Sequence, residues 1–175
     1  FKQGSKSLNK KAKAALLAVD KNAQQLREWR PAGQMVGHFL EHRAAINQLL
    51  VMPDQRYFLT ASDDKSVRMW DCSLIEGKVV SNRSQLQYTK QDGKIKHITV
   101  CNGGQTVASA ADNGTIHLFQ AEAPSSTLRK QDVPLQAEGR IVSLEAMSSA
   151  SPVVVYATVN GKIRGWDTRT ASEGW

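Results

Sequence analysis

Leu59-Thr60-Ala61-Ser62-Asp63-Asp64-Lys65-Ser66-Val67-Arg68-Met69-Trp70-Asp71 is two short apolar runs joined by a polar turn and closed on Trp-Asp. A similar phrase stands twice more. Val107-Ala108-Ser109-Ala110-Ala111-Asp112-Asn113-Gly114 closes on Ile116-His117-Leu118-Phe119, and Val155-Tyr156-Ala157-Thr158-Val159-Asn160-Gly161 closes on Ile163-Arg164-Gly165-Trp166-Asp167. Each is led by a further apolar run: Ile46-Asn47-Gln48-Leu49, Ile95-Lys96-His97-Ile98 and Ile141-Val142-Ser143-Leu144. The leading isoleucines lie 49 and 46 residues apart, and Trp70, Phe119 and Trp166 lie 49 and 47 apart. A period in the forties built from short β runs is the mark of propeller blades, each of which needs a neighbour to bury its faces. The expected fold class is all-β, a fragment of a β-propeller.

Turn signals divide each repeat. Pro53-Asp54-Gln55, Asn102-Gly103-Gly104 and Ser149-Ala150-Ser151-Pro152 separate the first strand from the second. Asp64-Lys65, Asn113-Gly114 and Asn160-Gly161 sit where a two-residue hairpin joins the second to the third, with positive φ at both central residues. A turn centred on 64–65 sets Thr60 across from Trp70. Residues 72–94 and 120–140 are longer and more polar; each has room for an outer fourth strand, with Gln85–Thr89 the better candidate, and Ala121–Asp132 reads as the least ordered part of the repeats. The pattern predicts about three four-stranded antiparallel blades, around 42–89, 95–135 and 141–167, within a propeller region 33–175. A closed propeller needs about four to eight blades. The remaining blades are therefore expected to be absent from this chain, as part of a longer protein. Gly33–Phe39 is expected to supply an outer strand that closes the ring, which removes an open sheet edge.

Residues 1–32 read as a basic helical linker. Ala12 to Trp29 is rich in Ala, Leu, Lys and Gln, and Pro31 stops its continuation. Ala12, Leu16, Val19, Ala23 and Leu26 form one narrow stripe that needs a neighbour to bury it. The net charge of +7 sits here: residues 1–30 hold eight Lys/Arg against two Asp/Glu, whereas residues 31–175 hold fifteen against fourteen. No aromatic residues interleave these lysines, so the reading favours a solvated helix face over a nucleic-acid patch. Cys72 and Cys101 have no paired spacing, which fits a reducing, cytoplasmic setting. No apolar run approaches the roughly 18 residues of a membrane span.

Gly33 to Asp71 resembles a WD repeat. In that family a His before the first strand, a Ser/Thr in the second, an Asp in the following turn and a Trp in the third form a buried hydrogen-bonded tetrad. The matching positions are His42, Thr60, Asp64 and Trp70. A buried indole N–H needs an acceptor, a hydroxyl can accept and donate onward, and a carboxylate fixes the imidazole. The same His, Thr and Asp could be read as a catalytic relay, but no oxyanion loop, cleft glycines or metal partner accompanies them, so the reading is a structural staple. The later repeats lose these groups: Gln91, Ser109, Asn113 and Phe119 in the second, Ala137, Tyr156, Asn160 and Trp166 in the third. Those blades are expected to rely on packing, because a network without its donors and acceptors cannot close.

Asp63-Asp64 reads as turn chemistry, and His38, His97 and His117 lack metal-ligand spacing. There is no phosphate-cradling G-x-x-x-x-G-K, zincin motif or C-x-x-C. No cofactor, catalytic or metal site is expected. Trp166-Asp167-Thr168-Arg169 matches the W-D-x-R ending of substrate receptors of cullin-ring ubiquitin ligases, so a partner contact through Asp167 and Arg169 is the competing reading.

A longer stretch is more specific. Trp29-Arg30-Pro31-Ala32-Gly33, followed by Glu41-His42, resembles the start of the WD-repeat domain in the regulatory pseudokinase subunit of the class III phosphatidylinositol 3-kinase complex. Ala111-Asp112-Asn113-Gly114 and Tyr156 to Asp167 are similar there too, so the resemblance covers about residues 25–170. It implies a non-catalytic interaction scaffold in autophagy and endosomal traffic. Its implied partners are the class III lipid kinase and associated subunits, with no nucleic acid. It also implies peripheral association with endosomal and autophagosomal membranes through the complex. A kinase-like domain would lie upstream of Phe1.

Overall fold

Alternating side chains on short strands need a covering layer on each apolar face, and stacked sheets supply it. The computed structural model describes residues 37–75, 83–124 and 127–170, which form three antiparallel sheets. The first has the order β1 (Ile46–Val51), β2 (Tyr57–Ser62), β3 (Val67–Asp71), β4 (Leu86–Tyr88). The second has β5 (Ile95–Cys101), β6 (Thr106–Ala111), β7 (Thr115–Gln120), β8 (Thr127–Asp132). The third has β9 (Ile141–Ala146), β10 (Val153–Thr158), β11 (Ile163–Asp167). This is the fold of a WD-repeat propeller fragment. The linker helix expected over 12–29 lies outside the described residues, and of Gly33–Phe39 only Gly37–Phe39 is described, as non-strand chain.

Two cores join the sheets. Leu59, Val67 and Met69 of the first sheet meet Ile98, Val107 and Phe119 of the second. Ala108, Ala110 and Leu118 of the second meet Leu144, Val154 and Tyr156 of the third. Strand β6 is therefore buried along its whole length, Val107 facing one core and Ala108 and Ala110 the other. That explains its continuous apolar run, since both faces are covered. The sheets are also pinned edge to edge: Gln48 donates to Ile98 O at 3.0 Å, and Ile98 N donates to Gln48 Oε1 at 2.8 Å.

Four expectations change. The third sheet holds three strands among the described residues, not four. The stretch 121–132, expected to be least ordered, contains the six-residue strand β8. Its outer position leaves alternate residues exposed, so the sequence carries little apolar signal there. The hairpins are three-residue loops, not two-residue ones. Beyond the ladder pairs Ala61↔Val67 and Ala157↔Ile163, Ser62 N donates to Ser66 O and Thr158 N to Lys162 O, and Ala110↔Ile116 sets the same register in the second sheet. Only the third loop residue is left-handed, with φ 66° at Lys65, 81° at Gly114 and 74° at Gly161. Asn113 and Asn160 keep negative φ, and glycine supplies the conformation that costs other residues strain. Finally, the longer loop shifts the register, so Thr60 lies across from Arg68 and Trp70 across from Phe58.

Candidate functional site

Thr60 and Trp70 meet on the diagonal of the first sheet, where the Trp70 indole N–H donates to Thr60 Oγ1 at 2.8 Å. His42 comes in from the segment before β1, with Nε2 2.6 Å from Thr60 Oγ1 and Nδ1 2.8 Å from Asp64 Oδ2. An ionised Asp64 takes an Nδ1–H, leaving Nε2 to accept the Thr60 hydroxyl proton. Burial alone would raise the Asp64 carboxyl, but hydrogen bonds from Ser66 and His42 and from the Arg43 backbone N–H outweigh it and hold it at about 2. The sequence reading missed Ser66, whose hydroxyl donates to Asp64 Oδ1 at 2.6 Å and whose N–H donates there at 3.0 Å.

The hydrogen-bond order Asp–His–Thr matches a nucleophile relay, yet Thr60 is 3% exposed and its oxygen already accepts the indole proton. Attack requires a hydroxyl that a substrate can reach. Phe39 seals the group, its ring edge-on to Trp70 at 5.0 Å and to Phe58 at 5.2 Å.

The second sheet corrects the expectation that its network cannot close. Ser109 Oγ donates to Gln91 Oε1 at 2.7 Å, and Gln91 Nε2 donates to Thr115 O at 2.8 Å and Thr115 Oγ1 at 3.0 Å. The Thr115 hydroxyl then donates to Asn113 Oδ1 at 2.8 Å. A neutral amide takes the place of the imidazole, and a neutral amide that of the carboxylate. Tyr88 stacks on Phe119 at 3.9 Å, at the position where Phe39 covers Trp70. The pairs 39/88, 42/91, 66/115 and 70/119 all differ by the repeat spacing of 49, which was the available signal.

In the third sheet Ala137 stands at the position of His42 and Gln91 and offers only its backbone, while Glu138 holds Arg164 as Glu41 holds Arg68 in the first. Glu138 Oε1 accepts from both Arg164 Nε at 2.9 Å and Nη2 at 2.6 Å, two bonds forked onto one oxygen of a residue 7% exposed. Asn160 only reaches Ala137 O at 3.5 Å, and Tyr156 enters the apolar core. Asp167 and Arg169 close on each other: the guanidinium donates to both carboxylate oxygens at 3.1 and 2.7 Å. The Arg169 side chain and N–H hold the Asp167 carboxyl down at about 2.

The isolated histidines stay apart. His38 is exposed, His97 is held low by burial, and His117 sits 2.7 Å from the Tyr88 hydroxyl. Among the described residues, no group of three His, Cys, Asp or Glu could hold a metal ion. Burial pushes the Cys101 thiol up to about 11.

Comparison with known proteins adds family context to this geometry. Residues 33–71 match the family described as "WD domain, G-beta repeat". A probable serine/threonine-protein kinase vps15 of Dictyostelium discoideum is 38% identical over 160 residues, 84% of this chain and 8% of that protein. Serine/threonine-protein kinase VPS15 of Arabidopsis thaliana is 34% identical over 163 residues, 84% of this chain and 11% of that protein. Human pre-mRNA-processing factor 17 is 24% identical over 144 residues, 79% of this chain and 23% of that protein. The chain thus spans about a tenth of the length of the Vps15 relatives it matches.

Proposed function

We propose, starting from a chain with the WD-repeat propeller fold that is related to the Vps15 kinases, that it is the non-catalytic scaffold part of the regulatory subunit of a class III phosphatidylinositol 3-kinase complex. The similarity to two Vps15 proteins over most of the chain carries this reading. The enclosed His42–Thr60–Asp64 set supports it, because those side chains are engaged with one another and with backbone. The proposed partners are the lipid kinase and its associated subunits. The proposed setting is cytoplasmic, with peripheral association to endosomal and autophagosomal membranes through the complex, in autophagy and endosomal traffic.

Affinity purification of the tagged full-length protein tests this. Recovery of a phosphatidylinositol 3-kinase, lost when residues 37–170 are deleted, is the expected result. Recovery of a cullin adaptor that disappears with Arg169→Ala, and no lipid kinase, would overturn it in favour of the ligase reading.

A further inference from the structure

The loops joining β2 to β3, β6 to β7 and β10 to β11 lie at one end of their sheets. The segments leading into β1, β5 and β9 join them there: Asp63 N donates to Ala45 O, Asp112 N to Lys94 O and Val159 N to Arg140 O. This end carries six exposed cations, Arg43, Lys65, Lys90, Lys94, Arg140 and Lys162, against three exposed carboxylates, Asp92, Asp112 and Asp132, the last of them 3.4 Å from Lys130. Four further acids at this end are neutralised locally, Asp63 by Lys96 at 2.5 Å, Asp64 by the staple, Glu41 by Arg68 and Glu138 by Arg164. Residues 31–175 carry only one net positive charge, so the excess reflects placement and not bulk composition. At the opposite end Asp54, Arg56 and the Asp167–Arg169 pair stand nearly in balance.

We propose that this basic end docks an acidic segment of a protein partner. The inference rests on the scaffold reading and names the surface through which it acts. Cations spread over three neighbouring loop tips raise the local potential and steer an anionic partner onto that end. Among the described residues here no aromatic side chain is exposed, so nucleic-acid bases have nothing to stack on. Asp92 and Asp112 stand among the lysines and are repelled by a uniformly anionic bilayer. A protein segment can set its own cations or N–H groups against them.

The test uses the full-length protein and a fluorescein-labelled peptide of alternating glutamate and alanine. Phosphatidylcholine vesicles containing phosphatidylserine serve as the competing probe. Wild type is expected to bind the peptide, more weakly as salt rises. Lys65→Glu/Lys94→Glu/Arg140→Glu/Lys162→Glu should weaken it roughly tenfold or more, since like-charge contact costs several kcal/mol. Arg56→Glu, at the other end, should leave binding unchanged. If the reversed variant fails to fold, the same four positions as glutamine should give a smaller loss at unchanged melting temperature. No peptide binding by wild type, equal loss with Arg56→Glu, binding indifferent to the four changes, or a charge-dependent preference for the vesicles would each overturn the proposal. Purification of the 37–170 deletion separates the two readings. Retention of the lipid kinase there defeats the scaffold role whatever the peptide does. Its loss there, with peptide binding indifferent to the four changes, defeats only this surface.

Discussion

Gln91 accepts the Ser109 hydroxyl proton at 2.7 Å in the second blade, at the position where His42 meets Thr60 at 2.6 Å in the first. Both blades thus tie the segment before their inner strand to their second strand and to the following hairpin loop. The first does so around an ionised carboxylate, the second with neutral amides. Two neighbouring blades therefore share one topology of restraint with different sensitivity to pH.

Gln91→Leu removes the amide and leaves the buried Ser109 hydroxyl without its partner, while Thr115 keeps only Asn113. The expected cost is about 1–3 kcal/mol. Gln91→His together with Asn113→Asp should recover most of it, as the first blade's arrangement is restored. Denaturant unfolding of the full-length protein checks both variants; equal loss in the double variant would show that the two sites are not interchangeable.

The first blade should be acid-sensitive. Asp64 has a folded-state value of about 2 against an ordinary 3.8, and its side chain is 10% exposed. A depressed carboxyl stabilises the fold above its unfolded value and loses that contribution as pH falls toward the folded one. The stabilisation, about 2 kcal/mol, should be complete above roughly pH 5 and fade toward pH 2. Asp64→Asn should lack this component of the acid slope, measured as stability against pH for the two proteins side by side.

Arg164→Met should destabilise the third blade more than the double change Glu138→Gln/Arg164→Met. The single change strands a buried carboxylate whose other oxygen, Oε2, already has no protein partner. Removing both charges removes that desolvation penalty. The order of the two melting temperatures is the readout, and the reverse order would mean that the unpaired Glu138 carboxylate is not what destabilises the single variant.

Gly93→Ala should cost about 1–3 kcal/mol by overpacking. A Cβ there would stand 2.5 Å from Asn113 Oδ1 and 2.7 Å from Ala111 Cβ, inside the loop that holds Gln91. Alanine at Gly161, where nothing lies within 4 Å, should instead cost only the left-handed φ of 74°. Comparing the two melting curves separates crowding from backbone strain.

The strand pattern and its spacing were readable along the chain because they depend on neighbours in sequence: apolar alternation, Asn-Gly and Asp-Lys turns, and the Trp70, Phe119 and Trp166 landmarks. His42, Thr60, Asp64 and Trp70 could be named on residue type, since a buried indole and imidazole require partners of that chemistry. The hairpin register could not be read in this way. Two- and three-residue loops draw on the same turn residues, and the left-handed φ at Lys65, Gly114 and Gly161 is what distinguishes them. The Glu138–Arg164 pair was hidden because its partners lie 26 residues apart in the chain and meet only in the folded sheet. Gln91 looked like a lost histidine until the packed sheets brought its amide within reach of Ser109 and Thr115. A hydrogen bond needs its partner at about 3 Å, and that distance is set by how the sheets stack, not by which residues adjoin in the chain.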